Sequence, residues 1–387
     1  MLSKRILELQ PSATLSLDEK AKQLAAAGFS VINLTLGEPD FSTPEHIREA
    51  GREAITSGFT HYVPSAGIPR LRQLVALKLL KENNISYEPD EIIIGVGAKQ
   101  ILYLAFQALC NPGDEVIIPT PAWSTYAEQV TLAEATPILA RLQPPFKATA
   151  SVLEKHLSPK TKVILLNSPS NPTGAVIEKA ELEKIAAMAI QRNVFLISDE
   201  IYEKILYGGT HCSIASLGEA TRNRTVTVNG VSKAYAMTGW RVGFGAGPRE
   251  VIQGMVSLAS QTTSGTSSIS QQAAVAAITG QQQPVIEMVR VFAQRRKLVC
   301  AQLSAIRGIS LHEPEGAFYV FFNIDKLLSQ YSRSSAEWAQ ALLDREHVAV
   351  VPGEAFHAPG YIRLSFAASQ QDLTAGIHRI KKFVYEQ

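Results

Sequence analysis

Residues 162–202 read KVILLNSPSNPTGAVIEKAELEKIAAMAIQRNVFLISDEIY. The stretch opens on an apolar run, KVILLN, and passes through a turn rich in proline, glycine, serine and asparagine. Glu178–Arg192 follows, with acids in its first turns and apolar residues at helical spacing, and a second apolar run, VFLIS, leads into Asp199. Strand, helix and strand in succession form the crossover unit of a parallel sheet.

The same alternation extends on both sides. Glu91–Gly95, Glu115–Pro119, Thr136–Ala140, Lys162–Asn167, Val194–Ser198, Thr225–Asn229 and Arg241–Ala246 each combine bulky apolar residues with flanking Gly, Pro, Asn or Asp. A helix is expected over Gln100–Cys110, stopped by Asn-Pro-Gly, and a long charged one over Pro284–Leu303. Beyond it Phe318–Asn323, Val348–Val351 and Tyr361–Phe366 read as strands of a smaller unit. The expected fold is α/β. A large domain, 46–285, holds a mostly parallel seven-stranded sheet between helices. A smaller α+β domain, 286–387, is joined by the N-terminal segment 1–45.

Bulk composition narrows the function. Hydrophobic residues at 46% against 19% charged are those of a globular chain with a sizeable core, and 37 basic against 35 acidic side chains leave a formal charge of only +2. No basic stripe marks a nucleic-acid partner, and Arg295-Arg296-Lys297 reads as a solvated helix face. Cys110, Cys212 and Cys300 are scattered and odd in number, so neither a zinc site nor a disulfide framework is expected. With no signal-peptide core and no long apolar span, the expectation is a cytoplasmic protein.

In parallel sheets ligands bind beyond the carboxyl ends of the strands, which directs attention to four loops. GVGAKQ (95–100) offers glycines and a helix N-terminus, suited to a phosphate or equally to a plain tight turn. It lacks the third glycine of a dinucleotide fingerprint, since position 100 is Gln, and this disfavours a nicotinamide dehydrogenase. NSPSNPTG (167–174) fixes a turn and makes Asn171 a candidate donor. SDEIY (198–202) buries Asp199, which also suits the N-cap of a helix over 200–205, and sets Tyr202 nearby. In NGVSKAYAMTGWRVGFG (229–245) two cations, Lys233 and Arg241, sit among small and apolar residues, where an unpaired charge is costly. One ligand answers all four loops: a phosphate at Ala98-Lys99 and Arg241, a cationic ring nitrogen against Asp199, and an aldehyde bonded to Lys233. That ligand is pyridoxal 5′-phosphate.

NPTG, DEIY and SKAYAMTGWRVG, in this order, resemble the class I aminotransferases of the pyridoxal-phosphate fold type I. The resemblance spans nearly the whole chain through PSAT (11–14), LGEPDF (36–41), HYVPSAGIPRLR (61–72), PAWSTY (121–126), GAFYV (316–320) and YIRLSFA (361–367). Within the family the chain is most similar to the bacterial aspartate/prephenate aminotransferases. The resemblance implies that Lys233 is the Schiff-base lysine and proton shuttle, that Asp199 pairs with the ring nitrogen, and that Tyr202 and Asn171 bond the ring 3-oxygen. It further implies that Trp123 stacks on the ring, and that Gly97, Ala98, Lys99 and Arg241 hold the phosphate. Tyr62 would reach the phosphate of a neighbouring subunit, which requires a homodimer with shared sites. Arg363 would clamp the substrate α-carboxylate, with Gly37 adding a backbone contact. One departure stands out: many relatives place a phosphate-binding serine where this chain has Gly230, and Ser232 lies two positions on.

For the substrate, the resemblance points Lys99 and Thr14 at the distal carboxylate of a dicarboxylic amino acid. The alternative is that Lys99 only adds charge near the phosphate and Thr14 is an ordinary coil residue. The expected reaction moves an amino group between an L-amino acid, aspartate foremost, and a 2-oxo acid such as 2-oxoglutarate, with prephenate a further candidate and no metal involved. Rivals are an aromatic or broad-range aminotransferase and a cysteine-conjugate β-lyase. A non-catalytic regulator built on this fold is disfavoured, since no DNA-binding segment fits before residue 11 or after residue 367.

Overall fold

The computed structural model describes residues 2, 6–7, 9, 13–328 and 332–386, with backbone alone at 13–16 and 18. Its centre is a seven-stranded sheet: β1 (Ile92–Val96), β2 (Glu115–Thr120), β3 (Thr136–Arg141), β4 (Thr161–Asn167), β5 (Phe195–Asp199), β6 (Thr225–Gly230) and β7 (Val242–Ala246). The spatial order is β1-β7-β6-β5-β4-β2-β3. Six strands run parallel and β7 runs against both neighbours, with Val96 opposite Val242 and Gly230 opposite Gly243.

Successive residues of the central strands point to opposite faces, and both faces are apolar. Val163 and Leu165 pack with Ile101, Ala105 and Met255, whereas Ile164 and Leu166 pack with Leu182, Ile185 and Ala189 of the helix Lys179–Gln191. Burial on both sides is why these strands are continuous apolar runs without a polar alternation.

A four-stranded antiparallel sheet in the order β10-β11-β9-β8 forms the smaller unit, from β8 (Ser310–Leu311), β9 (Tyr319–Asn323), β10 (Val351–Pro352) and β11 (Tyr361–Ser365). Two expectations change here. The single strand over Val348–Val351 is two short strands in different sheets, because Val348–Ala349 pairs in parallel with Ile32–Asn33 of the N-terminal segment. No helix follows Asp199. Residues 201–204 form a turn, and the acids before and within it are drawn into buried contacts: Glu200 accepts from Ser198 and Ser213 and faces His211, while Glu203 meets Lys78 and Asn83. Among the described residues no helix is long and apolar enough to cross a membrane.

Candidate active site

The carboxyl ends of β1, β2, β4, β5 and β6 open on one cavity of about 410 Å³, closed on the far side by β11 and the loop around Gly37. Ten of the expected site residues line it: Gly37, Ala98, Lys99, Trp123, Asn171, Asp199, Tyr202, Lys233, Arg241 and Arg363. Arg241 joins them for a topological reason. Because β7 is antiparallel, its beginning rather than its end lies at the carboxyl edge of the other strands.

The β1 turn is tighter than expected. The helix starts at Gly97, three residues before Gln100, so the free N–H groups of its first turn belong to Gly97, Ala98 and Lys99. Gln100 Oε1 accepts from the Val96 N–H at 2.6 Å, closing the turn at the position where a dinucleotide site needs glycine. Gly97 has φ +75°, and a Cβ there would lie 2.5 Å from Arg241 Nη2. A Cβ on Gly243 would collide with the backbone of Ala98. Together these glycines hold Arg241 against a helix N-terminus, which is an anion cradle. Arg241 itself sits at φ +55°, a conformation that costs a side-chain-bearing residue roughly 1–2 kcal/mol. It is held there by a bond from Nη1 to Thr238 O at 2.8 Å. Gly230 has a packing reason too: a Cβ would lie 2.9 Å from both Gly243 Cα and Val242 O, so serine does not fit, while Ser232 lines the cavity.

Asp199 is 2% exposed. Its Oδ2 accepts from Tyr126 Oη at 2.8 Å and its Oδ1 from the Ile201 N–H at 3.2 Å. Burial pushes its carboxyl up to about 6, against the pull of the Tyr126 hydroxyl and the Ile201 amide. Burial also pushes the Lys233 ammonium down to about 8, opposed by Glu38 and reinforced by Arg241 and Arg363. Lys233 Nζ donates to Gly37 O at 2.5 Å, so that carbonyl is engaged with the lysine. Burial and then Arg241 lower the Lys99 ammonium, whose Nζ lies 4.7 Å from the centroid of the Trp123 ring.

Arg363 comes from β11 and is 2% exposed. Its guanidinium donates to Asn171 Oδ1 at 2.9 Å and Thr35 O at 2.7 Å, and its carbon lies 4.5 Å from the centroid of Tyr319 and 4.9 Å from that of Phe356. Its buried Nε has no partner among the described residues. Tyr202 Oη pairs with Tyr319 Oη at 2.8 Å. Tyr62 stands apart, 97% exposed in a second cleft with Thr263 to Ser267. Thr14 lies in the helix Ala13–Ala26, and its side chain is outside the described residues. Tyr126 and Tyr319 were not singled out from the sequence, although PAWSTY places Tyr126 one helical turn after Trp123.

These residues fit pyridoxal 5′-phosphate. Asp199, buried and beside no bonded cation, favours a cationic ring nitrogen. Among the described residues, Lys99, Arg241 and Arg363 form no ion pair with a carboxylate, so anions suit the other ends of the cavity. The Asp199 penalty is measurable. Its pKa of about 6 against an ordinary 3.8 makes the carboxylate, ionised at pH 8, a destabilisation of roughly 3 kcal/mol. Below about pH 6 the folded state takes up the proton first and the penalty fades, so stability from this group falls as pH rises from about 4 to about 6. Cofactor-free Asp199→Asn is therefore expected to melt a few degrees higher than the parent at pH 8, with the gap closing toward pH 4, while binding pyridoxal 5′-phosphate roughly tenfold or more weakly. Scanning calorimetry at both pH values checks the first part, and an unchanged melting temperature at pH 8 contradicts it.

Known proteins resemble the chain along its whole length. The family described as aminotransferase class I and II matches residues 30–380. The chain is 45% identical to an aspartate aminotransferase of Geobacillus stearothermophilus, over 99% of this chain and 98% of that one. It is 42% identical to the aspartate/prephenate aminotransferase of Thermus thermophilus, over 98% of each. Among solved structures, the aspartate aminotransferase of T. thermophilus with maleate superposes with a TM-score of 0.95 at 41% identity, covering 99% of each chain.

Proposed function

The chain belongs to the class I and II aminotransferases, enzymes that depend on pyridoxal 5′-phosphate, and on that premise we propose that it transfers an amino group between L-aspartate and a 2-oxo acid such as 2-oxoglutarate, with prephenate as a further acceptor. One observation carries the reading: a single cavity sets a buried carboxylate without a bonded cation among three cations without carboxylates, beside an amine whose pKa is near 8.

Bound there, pyridoxal 5′-phosphate supplies an aldehyde to an amino group and a protonated ring that draws electrons from it. The chain's own residues do the rest. Asp199 keeps the proton on the ring nitrogen, and Asn171 and Tyr202 donate to the ring 3-oxygen. Trp123 covers one ring face. The Gly97–Lys99 turn and Arg241 hold the phosphate, joined by Tyr62 from a second subunit. Lys233, whose ammonium gives up its proton near pH 8, would take the proton from the substrate α-carbon and later return one. Arg363, aligned by Asn171 and Thr35, grips the α-carboxylate with the Gly37 loop alongside. The division at 46 and 286 belongs to the same proposal, with the small unit and the N-terminal segment closing over the substrate. So do a homodimer and a cytoplasmic location.

Lys99 on the cavity wall supports a dicarboxylic substrate, with Thr14 the second candidate for its distal carboxylate, and maleate in the T. thermophilus structure is itself a dicarboxylate. Lys99→Ala should lower kcat/KM for aspartate roughly ten- to a hundredfold and leave phenylalanine and alanine within about twofold, as loss of one charge-assisted contact predicts. An equal fall for every amino acid would assign Lys99 to the phosphate alone. Release of ammonia and pyruvate from cystathionine, without need of a 2-oxo acid, would favour the β-lyase instead.

A further inference from the structure

Tyr126 stands in the first turn of the helix Thr125–Leu132 and is 2% exposed. Its ring meets Trp123 edge-on, with centroids 5.4 Å apart at 84°, and its hydroxyl reaches Asp199 Oδ2 at 2.8 Å. Burial, with the Asp199 charge beside it, holds the phenol well above 10, so the hydroxyl keeps its proton and donates at every working pH. The other groups acting on Asp199 are the Ile201 amide, which donates to Oδ1, the Glu200 carboxylate, which disfavours its charge, and Lys233, which favours it. The Tyr126 hydroxyl is the only side-chain hydrogen-bond donor to the Asp199 carboxylate among the described residues.

We propose that Tyr126 is a positioning residue for Asp199: its hydroxyl keeps the carboxylate ionised and fixes its second oxygen, and thereby governs how tightly the ring nitrogen of pyridoxal 5′-phosphate is held. This rests on the pairing of Asp199 with that nitrogen. The physical reason is that an ionised carboxylate in a dry site needs donors to remain charged, and a hydrogen bond to a charged group is worth more than one between neutral groups. Asn171 plays the parallel part for Arg363 at the other end of the cavity, so each charged contact is set by a neutral neighbour.

The test uses the full chain stripped of cofactor and titrated with two ligands, pyridoxal 5′-phosphate and its carbocyclic analogue with C–H in place of the ring nitrogen. Tyr126→Phe keeps the ring packed against Trp123 and removes only the donor. The expected result is a Kd for pyridoxal 5′-phosphate raised roughly tenfold or more, with the analogue's Kd unchanged within about twofold. In an Asp199→Asn background the same substitution should add nothing, since the two act as a unit. An equal rise for both ligands would reduce Tyr126 to a packing residue, and no rise for either would remove its role altogether. If the unmutated protein bound both ligands equally well, the Asp199 pairing itself would fail, and this inference with it.

Discussion

Lys233→Ala is expected to lower kcat by roughly 10⁴-fold or more, because one amine serves as both attachment point and proton carrier and general base catalysis alone contributes up to about 10⁴. The fold should survive. Lys233 is half-buried, and desolvation holds its ammonium at about 8, so at neutral pH the lysine opposes stability. In the cofactor-free parent, labelling of this amine by a small amine-reactive reagent should rise with pH through a midpoint near 8, since only the free base reacts. A midpoint near 10.5 would mean the amine is solvated and would remove the main argument for its role. Activity in Lys233→Ala within tenfold of the parent would dismiss the mechanism.

Arg363→Lys should lower kcat/KM for both aspartate and 2-oxoglutarate by roughly 10²- to 10³-fold, the range for leaving a buried charge without its partner. The two must fall together, since donor and acceptor present the same α-carboxylate to one pocket. The geometry explains why lysine is no substitute. Asn171 Oδ1 and Thr35 O take one N–H from each terminal nitrogen, and Tyr319 and Phe356 flank the planar group, leaving the rest of the fork for a two-point contact. A point charge on a flexible stem keeps none of that alignment. Binding of pyridoxal 5′-phosphate should stay within about twofold of the parent. A fall for aspartate alone would place Arg363 at the side-chain carboxylate.

Much of this was legible in the sequence, for identifiable reasons. All seven large-sheet strands lie within two residues of their expected ends, because apolar runs between turn residues mark them, buried on both faces in the central strands though not in the largely exposed edge strand Thr136–Arg141. The residues that close the strand ends, Asn171, Asp199 and Lys233, were found by the rule that parallel sheets bind ligands at that edge. What stayed hidden depends on contacts distant in the chain. Local pattern carries no trace of β7 running antiparallel, which alone brings Arg241 to the site, nor of Val348–Ala349 taking Ile32–Asn33 as its partner. Tyr126 and Tyr319 carry no local mark of a role, and only the fold turns their hydroxyls toward Asp199 and Tyr202. Gly230 looked like a defect in the phosphate shell until its contact with Gly243 showed that no side chain fits there.

The most direct test of the central claim is the half-reaction. Purified protein loaded with pyridoxal 5′-phosphate is mixed with excess L-aspartate and no 2-oxo acid, and the oxaloacetate formed is counted per chain. One equivalent per chain, no ammonia, and renewed formation only after 2-oxoglutarate is added are predicted. Continuous keto-acid release with ammonia, or no oxaloacetate from a fully loaded protein, would contradict the assignment.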